Sequence, residues 1–268
     1  MTRRRPEDNL ISELEITYRE QAKNHLSSHS LADFRKCPLL YFKKSKGLIP
    51  DIDRPSYMIG RTAHKLILEG RKAFNDSYAV GGPINDKTGK PFGSTTKTYQ
   101  EWATAQNKPT ITDDQLVLVE SMTAGVQANK TAMRLLKQGQ AEGVLRLQYQ
   151  GLPCQGRLDW FNPEYGIIDL KTCEDLTWFE SDARRYGYLH QLAFYRSLLA
   201  EASGESVDAY VIAVEKSEPF RCGVWRVTPD VLNYAKKENE QAIETLKRCS
   251  STGNWPTGYE DIRPFDYL

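Results

Sequence analysis

The sequence predicts an α/β fold of the α+β kind, in which helices flank a central mixed β-sheet that contains a meander. Between residues 113 and 136 the apolar residues recur at helical spacing, and from 144 to 171 they alternate with polar residues at period two. Further patterns follow in the order helix, strands, helix. Helices before, between and after strands in one chain imply a sheet with helices packed against it.

The individual elements are predicted from caps, periodicity and turn residues. Ser30 is a suitable N-cap for a first helix over 31–37, with Pro38 in it or near its break, and an apolar stripe predicts a second helix over 59–74. The later elements, in chain order, are a helix from Asp113 to 136, strands at 144–149, 154–161 and 165–171, a helix over about 183–202, strands at 207–215 and 222–228, and a helix that starts at Pro229 and ends before Ser250.

Two regions differ in composition from the rest. Residues 1–28 are polar and charged, which predicts an N-terminal arm that is mobile or loosely docked. Residues 29–268 are predicted to form a single domain, interrupted at about 75–110 by a loop-rich insertion in which Gly, Pro, Asn, Thr and Lys are abundant. A chain of 268 residues is long enough for one large domain with a full core.

Composition excludes several classes of protein. Lys and Arg total 36 against 35 Asp and Glu, so net charge gives no argument for nucleic-acid binding, and any basic surface must be local. No apolar run reaches the roughly 18 to 20 residues that cross a bilayer, and no hydrophobic stretch follows the basic N-terminus, so we expect a cytoplasmic protein without a membrane partner. The five cysteines are widely spaced without a C-x-x-C pair, which argues against a disulfide framework or a zinc ribbon.

The most informative segment is a predicted hairpin that carries two carboxylates and a lysine. Asp169 and Lys171 project from one side of their strand, and the turn residues at 162–166 can return that strand beside Asp159. Hard cations such as Mg²⁺ or Mn²⁺ prefer carboxylate and carbonyl oxygens, so the Leu170 carbonyl is a candidate third ligand. Lys171 is placed to polarise a water or hold a phosphate. The alternative, a solvated surface hairpin, is the usual meaning of D-x-K alone.

Three further residues admit both a structural and a functional interpretation. His64 lies on the second predicted helix, where its imidazole can be hydrogen-bonded in the protein or can complete a cation site. Gln191 and Tyr195 are four residues apart and share one helical face. They can bond a backbone and line the core, or they can reach a nucleic-acid strand or order the active site. Spacing alone favours the structural interpretation for all three.

Taken jointly, the motifs resemble a known family. G-x-x-H on an early helix, G-R-x-D, I-I-D-x-K-T, and H-Q-x-x-x-Y on the next helix resemble the PD-(D/E)xK nuclease superfamily, in its RecB-like branch, and most nearly the phage and prophage RecE-type exonucleases, or exonuclease VIII. The resemblance runs from about residue 30 to 255 and implies a restriction-endonuclease-like core. It implies that His64, Asp159, Asp169 and the Leu170 carbonyl hold the metal, with Lys171 catalytic and Gln191 and Tyr195 as the Q-x-x-x-Y pair.

The same resemblance implies an activity and partners. It predicts a Mg²⁺-dependent exodeoxyribonuclease, with Mn²⁺ as a substitute, that degrades one strand of linear double-stranded DNA from 5′ to 3′ and leaves 3′ single-stranded tails for recombination. It further implies a ring-like homo-oligomer, a single-strand annealing protein as partner, and a phage or prophage origin. Three rival functions stay open. One is an endonuclease or helicase-associated RecB-like module with the same site, and another is a DNA-binding scaffold without catalysis. The third is a cation-binding protein that does not act on DNA and contains D-x-K by chance.

Some residues depart from the family pattern or fall outside it. The second acid is Asp169 rather than Glu, and Leu158 stands where proline is usual. Glu142 can supply an extra carboxylate through water, but a surface charge at the strand end is the favoured interpretation. Cys37 lies in a segment that resembles an iron–sulfur nuclease signature, yet only Cys249 lies near the C-terminus to serve such a cluster. We therefore expect no cluster and a buried Cys37.

Contacts to DNA are predicted from charge and aromatic character. Arg184 and Arg185 are candidates for phosphate contacts, although most charged runs are solvated surfaces. Four aromatic residues can stack on or wedge apart DNA ends, but core packing is favoured for most of them. These four are Trp160, Trp178, Phe179 and Tyr186.

Overall fold

The computed structural model describes residues 5–50 and 55–264, with only the backbone of 55 and 56. Its strands are β1 Ala79–Val80, β2 Ile84–Asn85, β3 Lys90–Pro91, β4 Thr110–Ile111, β5 Gln140–Tyr149, β6 Leu152–Asn162, β7 Gly166–Cys173, β8 Ala209–Glu215 and β9 Cys222–Val227. Its α-helices are α1 Glu15–Gln21, α2 Ser28–Lys36, α3 Pro38–Ser45, α4 Pro55–His64, α5 Gly70–Ser77, α6 Lys97–Ala105, α7 Asp113–Ala128, α8 Lys130–Leu135, α9 Phe179–Arg185, α10 Tyr188–Ser203 and α11 Pro229–Thr252. None of the helices in these two ranges is long and apolar enough to span a bilayer.

A five-stranded mixed sheet is the centre of the fold, with the strand order β5-β6-β7-β8-β9. The pairs β5–β6, β6–β7 and β8–β9 are antiparallel, whereas β7 and β8 are parallel. A parallel pair requires a crossover, and α9 and α10 provide it. The predicted mixed sheet, with its meander and flanking helices, is therefore confirmed.

Both faces of the sheet are buried, as the alternation along β7 requires. Ile167 belongs to a hydrophobic cluster with residues of α2, α10 and α11. Ile168 and Leu170 belong to a second cluster with residues of α4, α7 and α8. Strand residues alternate between faces, so Asp169 and Lys171 share the face of Ile167, where α10 packs. An ionisable pair is thus inserted into an otherwise apolar layer.

The prediction of a loosely docked N-terminal arm is wrong for its described part, residues 5–28. Ile11 exchanges backbone hydrogen bonds with Val144 of β5. Leu26 donates to Pro153 and accepts from Gln155 of β6. These long-range backbone bonds dock the segment although its side chains are mostly polar. The predicted extent of the single domain stays a prediction.

Several predicted helices are interrupted. The helix predicted over 59–74 passes into a π-helix at Lys65–Glu69 and restarts at Gly70, whose φ of +83° favours glycine. The first predicted helix begins earlier, because Ser27 rather than Ser30 is its N-cap, and Pro38 begins α3 as its first residue. The helix predicted to reach 136 ends before Asn129, which caps α8.

Two expectations about loops and buried cysteine also need correction. The insertion at 75–110 contains α6 and three short strands, so it is not irregular throughout. Cys37 is only half-buried, and its Sγ accepts a hydrogen bond from the Leu40 backbone where α3 begins.

Candidate active site

Three carboxylates lie side by side on three neighbouring strands: Glu142 on β5, Asp159 on β6 and Asp169 on β7. The β5–β6 ladder skips one residue pair, and that pair is Glu142 and Asp159. The β6–β7 ladder ends one pair before Asp159 would meet Asp169. The three strands therefore separate locally where their acidic side chains stand. Glu142 has a φ of +55°, which an L residue adopts at a cost, so the backbone of β5 is distorted at this level.

His64 joins two of these carboxylates in one donor group. Its Nδ1 lies 3.6 Å from Oδ2 of Asp159. One ligand atom each of His64, Glu142 and Asp159 lie within 4.8 Å of one another, with no other metal-binding group of three or more His, Cys, Asp or Glu among the described residues. His64 is the last residue of α4, directly before the π-helix, and α4 packs on β7. An imidazole nitrogen and two carboxylate oxygens are suitable ligands for a divalent cation.

Backbone contacts fix this group in place. The Leu170 N–H donates a hydrogen bond of 2.8 Å to Oδ2 of Asp159. His64 has a hydrogen bond with the backbone of Leu170. The Leu170 peptide therefore contacts two of the three donor residues. The prediction that the Leu170 carbonyl is a metal ligand is compatible with this position and stays a prediction.

Asp169 and Lys171 form a buried ion pair beside the donor group. Lys171 Nζ lies 2.6 Å from Asp169 Oδ2, and the Asp169 side chain is 1% exposed. Apart from this ion pair, neither carboxylate oxygen of Asp169 has a hydrogen-bond donor in the described part of the chain. A buried carboxylate so poorly satisfied costs stability, which is a common mark of a functional group. Asp169 lies outside the donor group of His64, and its predicted role as a metal ligand is untested.

Burial shifts the acid–base equilibria of the site. It raises the pKa of Asp169 to about 7, although Lys171 opposes the shift. It raises the pKa of Glu142 to about 7 despite the Arg157 guanidinium 2.7 Å away. Burial would lower the pKa of Lys171, but Asp169 and Asp159 outweigh it and the pKa is raised. Closely spaced carboxylates of this kind gain from a bound cation, because its charge favours their ionised forms.

The pKa of His64 moves in the opposite direction. Burial lowers it, and the nearby Asp159 only partly compensates. The imidazole is therefore neutral at pH 7 and keeps a nitrogen lone pair for a metal. The residues present fit a divalent cation: a neutral imidazole, carboxylates that repel one another, and a buried acid whose charge is paired with Lys171 alone among the described residues.

Glu142 is the residue that sequence reasoning placed wrongly. It was expected to be a surface charge at the end of a strand, but it lies within β5 and its side chain is 22% exposed. Arg157 holds it from the neighbouring strand, and Arg157 in turn lies over the Tyr18 ring at 5.3 Å. Its membership in the donor group depends on the β5–β6 register, which no local pattern specifies.

Gln191 and Tyr195 are hydrogen-bonded to each other on α10, and their site-ordering role stays a prediction. Gln191 Nε2 donates to the Tyr195 hydroxyl at 3.0 Å, and Ser28 Oγ donates to it at 3.3 Å. Tyr195 is buried, so it does not reach a nucleic-acid strand in this conformation. Its ring packs on Gly156, where an added Cβ would lie 2.8 Å from a ring carbon. The glycine of the G-R-x-D motif is therefore required by the close approach of α10.

The candidate DNA-contacting residues differ in exposure. Arg184 and Arg185 are exposed at the end of α9, which leads into α10. Trp178 and Tyr186 are exposed as well, whereas Phe179 is in the core. Trp160 is partly buried and packs against the core. The expectation of core packing is thus confirmed for Phe179 and Trp160 and wrong for Trp178 and Tyr186. The first residue of α10, Tyr188, was not singled out, yet its ring lies 4.8 Å from Lys171 Nζ. Its position three residues before Gln191 was the available signal.

His29 is a second residue that the sequence did not indicate. It lies on α2 and is exposed to solvent. It also lines a cleft of about 1220 Å³ between α2, α3 and the end of α11. None of the three donor residues lines that cleft, so its size alone does not locate the chemistry.

Comparison with known proteins identifies the family and the fold of the chain. Residues 27–265 match the model of a PDDEXK-like domain of unknown function, DUF3799, and the chain belongs to that family. The fold is similar to the crystal structure of a protein from Eubacterium rectale that carries the provisional name exonuclease, with a TM-score of 0.69, 15% identity, and coverage of 96% of this chain and 97% of that one. No curated protein sequence matches the chain. Family membership supports a nuclease, the structural neighbour shows a shared fold, and the motif resemblance is confirmed at the level of the PDDEXK-like fold.

Proposed function

We propose that this protein is a divalent-metal-dependent exodeoxyribonuclease that hydrolyses phosphodiester bonds at the ends of linear double-stranded DNA. The observation that carries the proposal is the convergence of His64, Glu142 and Asp159 beside the buried Asp169–Lys171 pair. Membership in a PDDEXK-like family supports the reaction class. The name of the structural neighbour in Eubacterium rectale supports the exonuclease mode.

The residues have distinct roles in this proposal. His64, Asp159 and Glu142 hold the cation, with Asp169 and the Leu170 carbonyl as the further predicted ligands. A Mg²⁺ or Mn²⁺ ion held by these residues would neutralise charge on the scissile phosphate and lower the pKa of a water molecule. Lys171 keeps its proton next to Asp169, and its ammonium orients the attacking water or holds a phosphoryl oxygen. Gln191 acts through Tyr195 as a positioning residue.

The finer features of the function rest on the resemblance to RecE-type exonucleases. They are digestion from 5′ to 3′, 3′ single-stranded tails as the product, a ring-like homo-oligomer, transfer of the tails to a single-strand annealing protein, and action in the cytoplasm of a bacterium on behalf of a phage or prophage. The exposed Arg184 and Arg185 are proposed contacts for DNA phosphates.

Digestion of end-labelled linear duplex in Mg²⁺ or in EDTA tests the proposal. We expect Mg²⁺-dependent release of short products, and a loss of more than about a hundredfold in rate for Lys171→Ala and for Asp169→Ala, because such groups stabilise the transition state. Lys236→Ala is the matched control, since Lys236 is also paired with a glutamate but lies on α11.

Different outcomes separate the alternatives. Near-normal rates in either site variant would contradict the assigned site. Cleavage of closed circular DNA would favour an endonuclease, or a nuclease module of a helicase, over an exonuclease. Binding of DNA without any cleavage would favour a scaffold that retains only the fold. Earlier release of a 3′ label than of a 5′ label would overturn the proposed polarity alone.

A further inference from the structure

A series of side chains leads from the buried lysine of the site to the protein surface. Lys171 Nζ lies 4.8 Å from the centre of the Tyr188 ring. The Tyr188 and Tyr186 rings are 5.9 Å apart and inclined by 34°. The Arg185 guanidinium lies 5.5 Å from the centre of the Tyr186 ring. We call Tyr188, Tyr186 and Arg185 the aromatic ladder. Its inner end contacts the lysine and its outer end is in solvent.

The outer end of the ladder has the properties of a binding surface. Tyr186 is 57% exposed, whereas Tyr188 behind it is half-buried. Arg184 and Arg185 are exposed next to it and carry two positive charges. Gly187, at a φ of +74°, turns the chain between the two tyrosines, so that both rings project toward the same region. The cation–π contact of Arg185 and the ring of Tyr188 limit the orientations of Tyr186 before any ligand binds.

We propose that the aromatic ladder is a stacking site for an unpaired nucleobase at a DNA end, and this rests on the proposed function. An aromatic ring with an adjacent guanidinium binds the face of any base, while arginines bind the phosphates that flank it. Bases inside a duplex have both faces covered by their neighbours, so only an end or an unpaired strand can offer a face. A single exposed ring matches the area of one base. A base on Tyr186 places its strand next to Lys171, where cleavage is proposed.

Because the ladder binds an unpaired base, we expect the enzyme to bind frayed or tailed DNA ends more tightly than blunt ends. Stacking depends little on base identity, because every base has a π-face. The site therefore predicts selection by end structure and not by sequence. Base stacking also explains why the Tyr186 ring is exposed, since the ring does not pack in the core.

Binding of fluorescent DNA in EDTA tests the ladder without cleavage. The probes are a blunt duplex and the same duplex with a short single-stranded tail that carries 2-aminopurine as its first unpaired base. For wild type we expect tighter binding of the tailed duplex and quenching of 2-aminopurine on stacking. Tyr186→Ala should weaken binding of the tailed duplex by about 5- to 150-fold, the range for loss of one base–aromatic stack, and abolish the quenching. Tyr186→Phe should stay within about twofold of wild type.

Tyr259→Ala is the matched control. Tyr259 is also exposed, at 73%, and has an arginine 4.1 Å from its ring centre, but it belongs to the C-terminal segment and not to the ladder. Unchanged affinity and quenching in Tyr186→Ala would overturn the stacking site and leave the exposed ring to a protein partner. Equal losses in Tyr186→Ala and Tyr259→Ala would overturn it too.

The test separates this inference from the proposed function. If wild type cleaves DNA in Mg²⁺ but Tyr186→Ala binds tailed DNA normally, only the stacking site fails. If wild type neither binds nor cleaves DNA, both fail. If Tyr186→Ala loses binding of tailed DNA while its affinity for blunt duplex stays within about twofold of wild type, the ladder is supported independently of catalysis.

Discussion

Glu142→Gln tests whether the distorted residue of β5 is a metal ligand. The substitution preserves volume and removes one of the two carboxylates of the donor group. Loss of even an outer partner of a metal costs about tenfold or more in affinity, so we take tenfold as the lower limit for a ligand. Glu142→Gln also loses the ion pair with Arg157, which can change stability without metal. The comparison is therefore made between the same variant with and without metal, so that only the metal-induced stabilisation is measured.

The magnitude follows from linkage between binding and folding. At a metal concentration about 100 times its Kd, binding stabilises the wild type by about 2.7 kcal/mol. A tenfold weaker site at the same concentration gives about 1.4 kcal/mol. For a domain of this size, each kcal/mol shifts Tm by about 2 to 4 °C. The metal-induced rise in Tm should therefore fall by roughly 3 to 5 °C in Glu142→Gln.

Thermal unfolding over a titration with MgCl₂ and with MnCl₂ is the assay. Glu13→Gln is the matched control, because Glu13 forms an ion pair of 2.6 Å with Arg146 of the same strand but lies outside the donor group. It should show the wild-type dependence on metal. Identical metal-induced shifts in wild type and Glu142→Gln would refute the inference that Glu142 is a ligand.

Three other predictions concern stability. Lys171→Met should lower the free energy of unfolding in urea at pH 8 by about 3 kcal/mol, because it leaves Asp169 buried without a partner, whereas Lys171→Met with Asp169→Leu should recover most of the loss. Gly156→Ala should cost about 1 to 3 kcal/mol, since the added methyl meets the Tyr195 ring. Hydrogen bonds from Arg221 and from backbone amides lower the pKa of the buried Glu215. The ionised side chain therefore contributes to the free energy of unfolding in full above about pH 4.5, and this contribution is lost as the pH falls below that value. In Glu215→Gln the free energy of unfolding should depend less on pH in this range.

Each of these three stability predictions is contradicted by a specific result. Additive losses in the double variant would show that the buried pair is not a coupled unit. A Gly156→Ala protein as stable as wild type would mean that α10 moves away without cost. If the free energy of unfolding changes equally with pH between 5 and 3.5 in wild type and Glu215→Gln, Glu215 is not the source of this pH dependence.

Local patterns explain what the sequence could predict. Period-two alternation and a turn between 162 and 166 placed Asp159 and Asp169 on adjacent strands, and parity placed Asp169 and Lys171 on one face. Helix content and the mixed sheet followed from the order of patterns. His64 could be assigned only through the joint motif, because one histidine on a helix has no specific meaning alone.

What could not be predicted depends on contacts between distant parts of the chain. Glu142 reaches the site through the β5–β6 register and a positive φ, neither of which its neighbours in sequence reveal. The polar N-terminal segment docks by backbone bonds from Ile11 and Leu26, which side-chain composition does not encode. The π-helix after His64 changes the helical period, so a pattern of period 3.6 cannot describe it.

The rate of Mg²⁺-dependent cleavage of linear duplex DNA by Asp159→Asn, relative to wild type, tests the central claim most directly. Asp159 lies near His64, accepts a hydrogen bond from the Leu170 N–H and belongs to the donor group with Glu142. The substitution keeps the size of the side chain and removes its charge. We predict a rate at least about a hundredfold lower, with a fold that is unchanged by circular dichroism. Cleavage within about threefold of the wild-type rate would contradict the assigned site.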